Sequence, residues 1–188
     1  VSRLRQIDSE CTEQIDRFGL IFNAAELQRQ PKEKSMLAST DLGSMLSSLH
    51  PAWSQQLERR GIKLILDITS DLPKVLSDPE RLELMLGGLI DRSSRGLASG
   101  SSLSLLLRPA GQRLKLQILS HDEKRSVHHR VRNEKNSELG PVLSWNPTTG
   151  SLQLSQRATQ TLLASLGGRL ASRGSGLTVF FPIAEAGI

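Results

Sequence analysis

The side chains with chemical capacity in this chain are few and scattered. There are one cysteine and four histidines. Cys11 has no second cysteine to pair with, which argues against an internal disulfide and a cysteine-based zinc site. It falls on an apolar helical stripe, where a thiol packs as a small hydrophobe. His50-Pro51 lies inside a helical pattern and reads as a surface or capping histidine. His121, His128 and His129 sit in a polar stretch with Lys124, Arg125, Arg130, Arg132 and Lys135. Adjacent His128 and His129 would point apart on regular structure, so a metal site there would need other ligands. The basic stretch could meet an acidic partner or phosphate, and a solvated loop is the plainer reading. The most informative residues are instead Asp78-Pro79-Glu80-Arg81-Leu82, which open an apolar helix carrying Gly87-Gly88 and running past Arg92.

These residues must be positioned by a modest aliphatic core. The chain has 188 residues, 37% hydrophobic and 23% charged, with only 3% aromatic and no tyrosine. That suits one domain with an appended helical arm. No apolar run approaches the ~18 residues of a membrane span, and no signal-peptide pattern opens the chain. The chain starts at Val1 in mid-pattern, which implies a longer parent. Single-cysteine usage points to the cytoplasm. The formal charge of +5 comes from scattered basic residues. A solvated basic surface accounts for it better than nucleic-acid binding.

Residues 1–30 read as one helical arm. Leu4, Ile7, Cys11, Gln14, Phe18, Ile21 and Ala25 recur in alternating three- and four-residue steps, the seam of a bundle or coiled coil. One helix cannot bury that seam alone, so a second helix is required, and Leu4, Ile7, Cys11, Phe18 and Ile21 are the expected dimer contacts. Pro31 and the following charged residues form a linker over 31–38. A domain over 39–188 follows. Thr40 or Asp41 caps a helix to about Arg60, kinked or split by Pro51 and closed by Gly61. Residues 62–68 alternate as a strand. Ser77 or Asp78 caps the next helix, with Pro79 at its first position, reaching about Leu97. Strands 103–108 and 114–119 form a hairpin. Residues 121–150 read as irregular, 152–166 as helical, 169–171 as a short strand and 177–181 as the last strand. The order predicts a two-layer α/β sandwich, one mixed sheet with helices on a single face.

That order, with Asp78 to Leu82 and its continuation, resembles the ATP-binding domain of sensor histidine kinases, a fold shared with gyrase and the mismatch-repair ATPases. Arg17-Phe18 and Asn23 to Leu27 look like the second helix of the kinase dimerisation domain. Leu162 to Leu170 is similar to the family's helix ending in H-G-G-x-I. Gly176 to Pro182 is similar to its closing strand. The resemblance implies a nucleotide pocket built from three motifs, and each departs from the pattern here. After D-P-x-R-L the family has N-L-x-x-N-A, whose asparagines hold Mg²⁺ and phosphates. Gly88 and Arg92 occupy those positions. Magnesium needs oxygen ligands, which neither residue offers. Arg92 could touch phosphate directly, and neighbouring Asp91 is turned roughly 100° away on a helix. At the family's D-x-G-x-G, Ser120 takes the aspartate position and Asp122 comes two residues late. At its G-x-G-L-G-L, Thr149 to Leu154 retains Gly150, out of register, followed by Ser151, and Gln153 replaces a glycine.

Gly88, Arg92, Ser120, Asp122, Gly150 and Ser151 are therefore vestigial pocket positions, and no catalytic or metal-binding residue is expected. The function implied is a degenerate histidine-kinase-like two-component module, without ATP turnover, acting through dimerisation and a partner such as a response regulator. Two alternatives stay open. One is a divergent active sensor histidine kinase, using ATP and Mg²⁺ to phosphorylate a histidine upstream of Val1. The other is a histidine phosphotransferase.

Overall fold

A computed structural model of the chain describes residues 37–121, 137–138, 143–146, 151–173 and 176–184. The arm, with its expected seam Leu4, Ile7, Cys11, Phe18 and Ile21, lies outside them, as does most of the linker. The described residues belong to two compact units: Ser35–Glu134 with Leu163–Ile188, and Val1–Lys34 with Lys135–Leu162.

The first unit is built on a five-stranded mixed sheet. Its strands are β2 (Lys63–Ile68), β4 (Ser102–Pro109), β5 (Arg113–His121), β9 (Arg169–Arg173) and β10 (Gly176–Pro182), ordered β2-β4-β5-β10-β9. Strands β2 and β4 pair in parallel and every other pair is antiparallel. A parallel neighbour requires a crossover. The segment between β2 and β4 supplies it with β3 (Val75–Ser77) and α2 (Pro79–Ser94). Strand β3 pairs with β1 (Ala38–Thr40) as a separate two-stranded sheet. Both strands are three residues long, too short to show a period in the sequence, and Ala38 and Thr40 were expected as linker and cap.

One sheet face is aliphatic. Leu103, Leu105, Leu107, Leu114, Leu116, Ile118, Val179 and Phe181 are all at most 2% exposed. The alternation of two in β4, β5 and β10 places them together. Helix α1 (Leu42–Glu58) packs on β2 and helix α2 on β5. Asp41 caps α1, its Oδ1 accepting from the Ser44 amide at 2.9 Å. Its carboxyl pKa is lowered, chiefly by that hydrogen bond. Pro51 sits within one continuous helix. Pro51 and Ser47 are both exposed, so the carbonyl that loses its donor is on the wet side. Gly61 then adopts φ 69°, and the Ile62 amide donates back to the Leu57 carbonyl at 3.0 Å. This left-handed closure turns buried Ile62 towards the core.

Asp78, not Ser77, caps α2, accepting from the Arg81 amide at 3.2 Å with Pro79 following. The Ser77 hydroxyl is buried and donates to the Leu166 carbonyl at 2.8 Å. Helix α2 stops at Ser94 rather than Leu97: Arg95 leaves the helix with an extended backbone, and Gly96 follows at φ 84°.

The second unit contains β6 (Ser137–Glu138), β7 (Leu143–Asn146) and β8 (Ser151–Leu154), an antiparallel sheet in the order β6-β7-β8. The expectation of an irregular 121–150 is corrected here. So is the helix expected from Leu152. Leu152 and Leu154 follow a period of two and pair with Trp145 and Leu143. Helix α3 (Gln156–Ser165) begins after Ser155, whose Oγ accepts from the Ala158 amide at 3.0 Å.

The sheet core dominates stability. Leu116→Ala is expected to cost about 2–5 kcal/mol in urea unfolding. Leu84→Ala, at a position 57% exposed, should change it by less than about 0.5 kcal/mol.

Candidate functional site

Helix α2 fixes the candidate site by burying one side of itself. Leu82, Met85, Leu86, Leu89 and Ile90 form its buried stripe, spaced three and four apart as a helix facing a core requires. The same geometry brings Leu84, Gly88 and Arg92, each four residues on, to one line away from that stripe. The line rises about 6 Å per step. Leu84 is 57% exposed. Gly88 is exposed, and a Cβ added to it would meet nothing within 4 Å. Arg92 is half-buried, and burial lowers its pKa from the ordinary arginine value. A guanidinium stays charged under these conditions. The line therefore ends in a cation held partly out of water.

Asp91 belongs to a different arrangement. Its Oδ2 accepts from Arg95 Nε at 2.7 Å and pairs with Arg95 NH2 at 2.6 Å. Its Oδ1 lies 3.8 Å from Arg60 NH1. Arg60 in turn donates to the Ser94 hydroxyl at 2.9 Å and to the Ser94 carbonyl at 3.0 Å. The Ser94 hydroxyl donates to the Asp91 carbonyl at 2.8 Å. Arg60 ties the end of α2 to the turn after α1, and Arg95 holds the Asp91 Oδ2 within α2.

Ser120 stands one residue before the end of β5, opposite Leu103 on β4 and half-buried. It is a ladder residue in the strand on which α2 packs. Ser151 opens β8 in the other unit. Asp122 and Gly150 lie outside the described residues. Of the six pocket positions, the structure thus brings Gly88 and Arg92 onto one line and puts Ser120 in the strand beneath their helix. His50 Nε2 is 3.2 Å from Ser54 Oγ within α1, as a local helix-surface contact. Among the described residues no cluster of three or more His, Cys, Asp or Glu could hold a metal. No described helix is long and apolar enough to cross a membrane.

Sequence reading missed two things here. Leu84 is an exposed apolar residue on the Gly88 line, legible from its four-residue offset. The Arg60 contact to Asp91 and Ser94 spans some thirty residues and left no local signal, whereas the Asp91–Arg95 spacing is a standard helical pair.

No family profile matches the chain. It is 36% identical, over 177 residues and 92% of its length, to the sensor histidine kinase Hik34 of Synechocystis sp.. It spans 36% of that relative's length. Among solved structures, histidine kinase AdeS of Acinetobacter baumannii superposes with a TM-score of 0.54 at 21% identity, over 99% of this chain and 83% of that one. Histidine kinase ThkA, solved in complex with the response regulator protein TrrA, gives a TM-score of 0.62 at 13% identity, over 96% of this chain and 51% of that one. The isolated catalytic domain of ThkA gives 0.59 at 11% identity, over 79% and 95%.

Removing the Asp91 carboxylate should expose the value of its network. Asp91→Ala leaves the half-buried Arg95 guanidinium and the exposed Arg60 guanidinium without their partner, at a cost of about 1 kcal/mol. In urea unfolding, added sodium chloride should narrow the gap between the variant and the parent.

Proposed function

We propose that this chain, a homologue of the sensor histidine kinases with the fold of their ATPase-type domain, works as a degenerate two-component signalling module that neither binds nor hydrolyses ATP. The line Leu84–Gly88–Arg92 carries this reading. By the family's motif, Gly88 and Arg92 stand where two carboxamides would meet magnesium and phosphate. Gly88 opens onto empty space and offers no oxygen. Arg92 brings a half-buried positive charge, which repels a divalent cation. The nearest carboxylate, Asp91, has Oδ2 held by Arg95, and a second guanidinium, that of Arg60, lies 3.8 Å from its Oδ1. These residues do not fit a magnesium–nucleotide complex, and we derive no phosphoryl transfer through one.

Ser120 supports the same reading. The family motif would use an aspartate there to accept the adenine amino group. Ser120 has a shorter side chain on a strand position that already pairs with Leu103. The scaffold meanwhile remains intact: the Asp78 cap, Pro79 and the buried stripe of α2 are all in place. A domain that keeps its packing residues and departs at its ligand positions is suited to binding rather than turnover.

In this reading the module acts by dimerising through residues 1–30 and by meeting a signalling partner. A response regulator is the partner class that the ThkA–TrrA complex suggests. Charged substitutions on the seam, Ile7→Lys with Phe18→Lys, should convert a dimer to a monomer in sedimentation analysis.

Isothermal titration tests the nucleotide claim. ATP with Mg²⁺ should give no magnesium-dependent heat. Micromolar, magnesium-dependent binding would overturn the reading and leave a divergent kinase as the better one.

A further inference from the structure

The side of the five-stranded sheet that faces away from the aliphatic core holds an unexplained concentration of charge. Phe180 of β10 pairs in register with Lys115 of β5 on one side and Arg169 of β9 on the other. The three side chains form one row across three strands. Thr178 and Gln117 form the next row, and Arg113 precedes Lys115 by two residues on the same face. Together they line an open recess of about 560 Å³. Lys115 and Arg169 are two strand spacings apart, about 9.6 Å, and Arg113 is about 7 Å along the strand from Lys115.

Among the described residues, no carboxylate lines this recess. Arg113, Lys115 and Arg169 form no ion pair among the described residues. Arg108, on the same face, is neutralised by Asp67. The sheet thus answers one of its outward cations and leaves three close together, where like charges repel. An anionic partner would relieve that repulsion. The half-exposed ring of Phe180, between two cations, adds an apolar floor.

We propose that this recess binds an acidic, extended segment of another protein, with carboxylates on Arg113, Lys115 and Arg169 and an apolar side chain on Phe180. Gln117 and Thr178 supply polar groups for the segment's backbone. The cationic recess disfavours a second copy of this chain, because each copy would bring the same charge to the contact. Single-stranded nucleic acid is less well matched, since one ring gives one stacking position where such surfaces use several. The inference rests on the sheet face alone and does not depend on what α2 binds.

The test uses the full chain and a short fluorescein-labelled peptide rich in glutamate and leucine, followed by anisotropy. A lysine-for-glutamate peptide and a single-stranded oligonucleotide of matching charge serve as comparisons. The acidic peptide should bind, more weakly as salt rises, and the lysine peptide should not. The triple variant R113Q, K115Q and R169Q should weaken binding at least about tenfold, and F180A several-fold. If the triple variant unfolds in circular dichroism, the single variants K115Q and R169Q replace it, each expected to weaken binding measurably. The proposal is overturned if the acidic peptide fails to bind, if folded variants bind it unchanged, or if the oligonucleotide binds more tightly through the same residues.

Discussion

The direction of Leu84, Gly88 and Arg92 in the first unit depends on how α2 is pinned to the sheet. The helix has five buried apolar side chains on one stripe, from Leu82 to Ile90. Burying them against an aliphatic sheet face is the largest favourable term available to a chain with so few aromatics. Its rotation about its own axis follows from that burial. Asp78 and Pro79 set its start, and Asp91 with Arg60 and Arg95 holds its end. With both ends and one face held, the direction of Leu84, Gly88 and Arg92 is decided by packing. Gly88, without a side chain, is thereby set on the exposed side of the helix and Arg92 at its half-buried end.

The charges of this unit are used in two ways. Some complete the scaffold, as Asp91 does between two guanidiniums and Arg108 does with Asp67. Others are left outside such pairs, on the strands where Phe180 faces Lys115 and Arg169. A carboxylate engaged by two arginines is poorly placed to serve a metal. A cation with no counter-charge is suited to recruiting one from elsewhere. The same net basic composition is consistent with a structural role in one place and recognition in another, and only the pairing pattern separates them.

Much of this was legible in advance because short-range rules govern it. The Asp78-Pro79 cap, the left-handed Gly61 and Gly167, and the alternating leucines of β4 and β5 depend on a few neighbouring residues each. Where local rules compete, the reading went astray. Leu152 and Leu154 fit a helical run as well as a strand, and pairing with Leu143 and Trp145 decided for the strand. Ser77 and Asp78 were equal candidates for a cap until the Leu166 carbonyl claimed the serine hydroxyl. Pro51 was expected to kink or split its helix, and at its exposed position the helix is not split.

By itself, then, the sequence determined the fold class and most of the longer elements. Those follow from periodicity, caps and motif order, which are properties of adjacent residues. The tertiary structure decided which groups remain available. It set Gly88 against open space, placed Asp91 between Arg60 and Arg95, and aligned Arg169 and Phe180 with Lys115 of a strand some fifty residues earlier. Availability depends on burial and on partners brought from distant segments, and no local pattern encodes either.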